Sequence, residues 1–201
     1  CTGGHWDYKI TKWENVSYVE VFSEGCPYLN TPNKKARALW HSLLDKGYKI
    51  APSMGRDWHR LNGNVNLAAC TYLLCDEGKL TADKMKKAIN EGRTAITTGP
   101  LFAFATKDGK SVGDEITKGE NTLEIIVDTE RQKKITPGQS FCFKEIRLVS
   151  NGGKTVKAIP ATQKSVTFDF IKGQWYSLEL WGDIDDKTDT LLAFTGAVYV
   201  K

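Results

Sequence analysis

Leu80-Thr81-Ala82-Asp83-Lys84-Met85-Lys86-Lys87-Ala88-Ile89-Asn90-Glu91-Gly92-Arg93-Thr94-Ala95-Ile96-Thr97-Thr98-Gly99-Pro100 is where this chain changes character. Its first half carries helix punctuation. Thr81 stands at an N-cap, Leu80 and Met85 are at hydrophobic-staple spacing, Ala88 and Ile89 continue the apolar stripe, and Gly92 stops it. Thr94 to Thr97 reads as a short strand before Gly99-Pro100. Upstream of this stretch, short apolar runs alternate with helical patterns, the rhythm of an α/β unit. Downstream the period is two and no helix-length amphipathic segment remains, which predicts an all-β unit. The expected division is therefore residues 1–100 as an α/β domain and 101–201 as a β-sandwich accessory domain.

Working upstream, Val19-Glu20-Val21-Phe22 reads as a strand. Thr31-Pro32 offers an N-cap with proline at the first helical position. Ala36, Leu39, Trp40 and Leu43 then recur at i, i+3, i+4 and i+7 until Gly47. Tyr48 to Pro52 is a second apolar run, and it delivers the chain to Gly55-Arg56-Asp57-Trp58-His59. Ala69 to Leu74 reads as a third strand. Working downstream, Asp108-Gly109 and Asn151-Gly152 are hairpin-turn dipeptides, the second lying between Ile146–Val149 and Thr155–Ala158. Val166, Phe168 and Phe170, then Tyr176, Leu178 and Leu180, alternate with polar neighbours as half-buried strands do.

Composition narrows the function classes. With 201 residues, 40% of them hydrophobic and 10% aromatic, the chain can build real cores. The net charge is only +4, from 28 Lys and Arg against 24 Asp and Glu. Basic clusters such as Lys84-Met85-Lys86-Lys87 are no longer than a helix face carries, so no nucleic-acid partner is expected. No apolar window is long enough to span a membrane. Five cysteines without a C-x-x-C pair indicate neither a structural zinc site nor a disulfide framework. Cys70, Cys75 and Cys142 read as small core hydrophobes. The chain begins at Cys1 without Met, which reads as a processed form or a piece of something longer.

The chemistry-bearing pattern is Asp57 and His59, two residues apart at the end of a strand, where α/β folds place their sites. In an extended segment such side chains point the same way, so a carboxylate and an imidazole there can share one metal ion. Two protein ligands are half of a catalytic metal site. His5, after Gly3-Gly4, is a third candidate, and Glu20 faces either a central site or solvent. His41, beside Trp40 and off the apolar stripe, reads as a surface residue. No G-x-S-x-G elbow, P-loop or dinucleotide fingerprint is present. Trp175 and Trp181, flanking Tyr176, suit core packing, or a sugar-stacking platform of the kind carbohydrate-binding sandwiches use.

Gly55-Arg56-Asp57-Trp58-His59, Thr71-Tyr72-Leu73-Leu74 and the stretch from Leu80 to Pro100 together resemble the second half of PHP-domain (polymerase and histidinol phosphatase) metallo-phosphoesterases, in the carbaryl-hydrolase-like and microcin-processing-like branch. The resemblance implies the second half of a distorted PHP-type α/β barrel followed by a small β-sandwich. It also implies that Asp57 and His59 are metal ligands. His5 would correspond to an earlier single-His motif, although Trp6 stands where the family usually has Pro, and Glu20 to an acid on the following strand. Divalent Zn, Mn or Fe suits such ligands, and the implied reaction is hydrolysis of a small phosphorylated or ester substrate by metal-activated water. The family's opening H-x-H pair is absent from these residues, so the chain is expected to be a truncated domain, inactive in isolation. The alternative expectation is a non-enzymatic glycan- or protein-binding module on a degenerate scaffold.

Overall fold

The computed structural model describes residues 12–23, 31–56 and 68–201. Among these, the chain runs as β1 (Tyr18–Ser23), α1 (Thr31–Asp45), β2 (Ala51–Gly55), β3 (Cys70–Leu73), α2 (Ala82–Asn90), β4 (Thr94–Thr97), β5 (Leu101–Thr106), β6 (Glu115–Ile116) and β7 (Gly119–Asp128). It continues through α3 (Glu130–Ile135), β8 (Phe141–Ser150), β9 (Lys154–Pro160), β10 (Ser165–Phe170), β11 (Trp175–Ile184), β12 (Lys187–Thr195) and β13 (Val198–Val200).

The strands form three sheets. β1 and β2 pair in parallel, β10-β7-β5 make a three-stranded antiparallel sheet, and β3-β4-β12-β11-β13-β6 run through an eight-stranded one to which β8 and β9 attach. This overturns the expected half of a PHP-type α/β barrel. The molecule is β-rich, and no barrel closes among the described residues. The physical reason is strand direction. Alternating strand and helix patterns suggest parallel crossovers, but β3 and β4 pair antiparallel around α2, with Cys70 opposite Thr97 and Leu73 opposite Thr94. β4 then pairs antiparallel with β12, so the sheet continues across residue 100.

Sandwich-like packing of the two larger sheets matches the alternation in sequence. Phe102, Phe104, Leu123, Val166 and Phe170 of the three-stranded sheet share one buried core with Ile146, Leu148, Leu178, Leu180 and Ile184 of the larger one. Asn151-Gly152 makes the turn between antiparallel β8 and β9, with Gly152 in the left-handed region at φ 73°.

α1 joins the parallel pair to the large sheet. Trp40 is fully buried and its indole N–H donates to Ile50 O at 2.9 Å. It shares a second apolar cluster with Val21 and Phe22 of β1 and Trp175, Leu191 and Phe194 of the large sheet. At the start of the helix, Asn33 clamps the end of β1, accepting from Ser23 N at 3.1 Å and donating to Ser23 O at 3.3 Å. α2 is capped as its sequence predicts, with Thr81 Oγ1 accepting from Lys84 N and Gly92 at φ 73° after the last turn. The expected staple pair does not close over: Leu80 and Met85 both stay exposed. No described helix is long and apolar enough to cross a membrane.

Candidate functional site

Asp57, His59 and His5, the three metal-ligand candidates, lie outside the described residues. What is described is the frame that leads to them. β2 ends at Gly55 and Arg56, immediately before Asp57, beside the parallel strand β1. Glu20 lies in β1 opposite Ser53, just before a register shift, and it is exposed. Its carboxylate is laid against Gly55 so closely that a Cβ at residue 55 would collide with all of its carboxyl atoms. The glycine that opens the Asp/His motif thus leaves room for an acidic side chain approaching from the neighbouring strand. Gly55 closes the carboxyl end of β2, while Glu20 reaches it from within the parallel strand β1.

The exit from the 57–67 stretch is described from Ala68 onward. Arg56 Nη2 donates to Ala69 O at 2.8 Å, and Arg131 of α3 donates through Nη1 to Ala68 O at 2.9 Å. Met54 N donates to Thr71 Oγ1 at 2.9 Å, tying β2 to β3. Cys70 and Tyr72 follow on one face of β3. Burial pushes the Cys70 thiol up, against the opposing pull of Arg131 and Arg56. Among the described residues no group of three or more His, Cys, Asp and Glu side chains is arranged to hold a metal ion.

Several motif residues turn out to have structural work. Thr94 is buried and its hydroxyl donates to Pro52 O at 2.8 Å, so β4 braces β2. A Cβ at Gly99 would press on Phe141 and Gln132, and Gly196 is backed against Gly92 O. Arg93 gathers Asp76, Glu91 and Asp114 at 3.0–3.1 Å. These contacts explain the glycines and the arginine of the Gly92–Gly99 segment without any ligand.

The candidates read as surface or core residues are redistributed. His41 is buried, not a surface residue: it lies 5.0 Å from the Trp175 ring and 5.1 Å from Trp40, on a helix face turned to the large sheet. Burial, reinforced by Arg37 and opposed by Asp45, pushes its pKa down to about 3, so the imidazole is neutral. It borders a cleft of about 340 Å³ between α1 and the Gly152-Gly153 turn. Of the three cysteines expected in the core, Cys70 and Cys75 are half-buried and Cys142 is exposed.

Trp175 and Trp181 are both engaged by the protein's own groups. Trp175 is buried and its indole N–H donates to Asp45 Oδ1 at 2.8 Å. Trp181 donates to Glu179 Oε2 at 2.9 Å, and the Arg147 guanidinium covers its ring at 4.1 Å. Glu179, itself buried, also pairs with Arg37 of α1. This Arg37–Glu179–Trp181–Arg147 chain is not visible in the sequence, because its members come from three elements far apart along the backbone.

No protein-family model matches the chain, and no curated protein matches it. Among solved structures, the crystal structure of an engineered protein, a Northeast Structural Genomics Consortium target, is similar over 61% of this chain at 12% identity, with a TM-score of 0.34. The match spans 24% of that protein's length. A likeness of this size carries no argument about fold or function.

Proposed function

We propose that β1 and the carboxyl end of β2 carry part of a divalent-metal site of a PHP-type hydrolase, with Asp57, His59 and Glu20 as ligands and His5 as a further one. The observation that supports it best is the Glu20 carboxylate against Gly55, two residues before Asp57. An acidic side chain from one parallel strand is delivered to the end of the next, where the Asp-x-His pair begins. The donor set fits the group: mixed carboxylate and imidazole ligands suit Zn, Mn or Fe. When bound, such an ion polarises a phosphoryl or carbonyl oxygen and lowers the pKa of a bound water.

The chain's own residues have separate tasks in this reading. Asp57 and His59 would supply a carboxylate and an imidazole, Glu20 a second carboxylate from β1, and Gly55 leaves room for it. Thr94 and Thr71 hold β2 at its depth through Pro52 O and Met54 N. The alternative of a glycan-binding module draws less support, since Trp175 is buried and the Trp181 indole is engaged by Glu179 and Arg147.

The test is metal content and turnover of the full-length protein. Asp57→Ala and His59→Ala are each expected to strip bound metal and abolish hydrolysis of phosphomonoesters or phosphodiesters while the fold persists. Metal content and turnover equal to the parent in both variants would remove the proposal.

A further inference from the structure

Asn151-Gly152 turns the chain from β8 to β9, and it is also where the end of α1 is fastened to the large sheet. Asp45, the last residue of α1, accepts from Gly152 N through both carboxylate oxygens, at 3.0 and 3.1 Å. The same carboxylate accepts the Trp175 indole N–H at 2.8 Å. Asn151 Oδ1 accepts from Trp175 N at 3.2 Å. One tryptophan of β11 thus pins both the helix end and the turn. Asp45 and Gly152 are exposed and Asn151 is half-buried, so water reaches the turn.

An asparagine followed by glycine carries a reaction of its own. Glycine has no side chain to crowd its nitrogen, which can close on the carbonyl carbon of the preceding asparagine side chain. In that step Gly152 N gives its proton to solvent base and bonds to Asn151 Cγ, while the bond from Cγ to Nδ2 breaks and ammonia leaves. Water then opens the succinimide at either carbonyl, leaving aspartate or isoaspartate and an added negative charge. Neither an oxidant nor a reductant takes part. In the folded protein both reacting groups are held. The proton that must leave Gly152 N is bonded to a carboxylate, and an amide anion formed there would face the Asp45 charge. The Asn151 side chain is engaged with Trp175 N.

We propose that Asn151 is a deamidation site gated by α1: the seated Asp45 carboxylate guards it, and local opening of the helix end uncovers it. The step runs one way. The new carboxylate stands next to the residue that Asp45 grips, so like charges oppose reseating of the helix end. Isoaspartate also lengthens the backbone just before Gly152 N, which moves that donor out of register with Asp45. Deamidation thus turns a transient opening of α1 into a permanent one, whether or not the chain is a hydrolase.

The experiment is peptide mapping by mass spectrometry of the full-length protein during incubation in mildly alkaline buffer, with and without urea. Mapping separates Asn151 from Asn62-Gly63, the other such pair in the chain. Asn151 is expected to deamidate readily in urea and about tenfold or more slowly in the folded parent. Asp45→Ala removes both bonds to Gly152 N and is expected to speed the folded reaction by about tenfold. Asp45→Asn keeps an acceptor without the charge, so it should speed the reaction by less, and it serves should Asp45→Ala fail to fold. Lys46→Ala, at the next and also exposed residue, should leave the rate unchanged. Ile125→Val weakens the sandwich core away from the turn and should stay well below Asp45→Ala. Equal rates for the folded and unfolded parent would overturn the gate, as would Ile125→Val matching Asp45→Ala, which would assign the reaction to global unfolding. An unchanged or slower rate in the folded Asp45 variants would also overturn it, a slower one making the carboxylate a base instead of a guard. Deamidated protein, separated by its added charge, is expected to exchange amide hydrogens faster in the last turn of α1 than the parent. Equal exchange there would overturn the one-way latch.

Discussion

His41 shows how one buried side chain sets a pH dependence. Gly153, at φ 67°, lies so close to its ring that a Cβ there would collide with Nδ1, and the imidazole is held between Trp40 and Trp175. Its pKa is lowered to about 3 in the folded protein, from 6.5 in the free side chain. The unfolded chain therefore binds more protons between these values, so stability rises with pH across that window. His41's contribution is complete above about pH 6.5 and is lost as pH falls towards 3, amounting to about 3–5 kcal/mol. Urea unfolding at a series of pH values is expected to show this loss, and His41→Gln should flatten the acid limb. Gly55 yields a second prediction at this scale. In Gly55→Ala the new methyl displaces only the tip of the flexible Glu20 side chain, so the stability cost is about 1 kcal/mol or less. Metal affinity, in contrast, should fall by about tenfold, because a displaced carboxylate no longer meets the ion.

At the scale of elements, α1 is the part whose loss is felt furthest. Arg37 and Glu179 form a nearly buried pair that ties the helix to β11, with Trp181 donating to the same carboxylate. Removing one member leaves the other charge unpaired in a poorly hydrated place, so Arg37→Met is expected to cost about 3 kcal/mol in chemical denaturation. A smaller loss than for an exposed pair such as Lys187–Asp186 would contradict this. The borders of α1 were legible in Thr31-Pro32 and Gly47, and those of α2 in Thr81 and Gly92, because caps act locally. β2 was less so: the apolar run suggested Tyr48 to Pro52, whereas pairing with Tyr18–Ser23 places the strand at Ala51–Gly55. Strand direction was not legible at all. Nothing in Cys70–Leu73 or Thr94–Thr97 encodes that they run antiparallel, and that relation turns an expected half-barrel into one wing of a large sheet. In the site region, Asp57, His59 and Glu20 were visible as residue types at telling positions. Arg131 was not, since only the fold brings α3 to Ala68.

Across the whole molecule, the eight-stranded sheet takes β3 and β4 from the first hundred residues and β6, β8, β9, β11, β12 and β13 from the second. Trp40, Phe22 and Val21 share a cluster with Trp175 and Phe194. Elements sharing a sheet and a core unfold together, so thermal and denaturant unfolding are expected to show one coincident transition by fluorescence and circular dichroism. Two separate transitions would mean that the sheet divides at residue 100. The same continuity gives the proposed site its footing, since β2 is braced by β4 and β4 is held by β12. The most direct test of that site is a crystal structure of the metal-loaded full-length protein, with diffraction recorded at the metal's absorption edge. An anomalous peak about 2.0–2.2 Å from donor atoms of Glu20, Asp57 and His59 is the expected result. A metal-loaded crystal whose peak lies elsewhere, with those three side chains apart, would contradict the account.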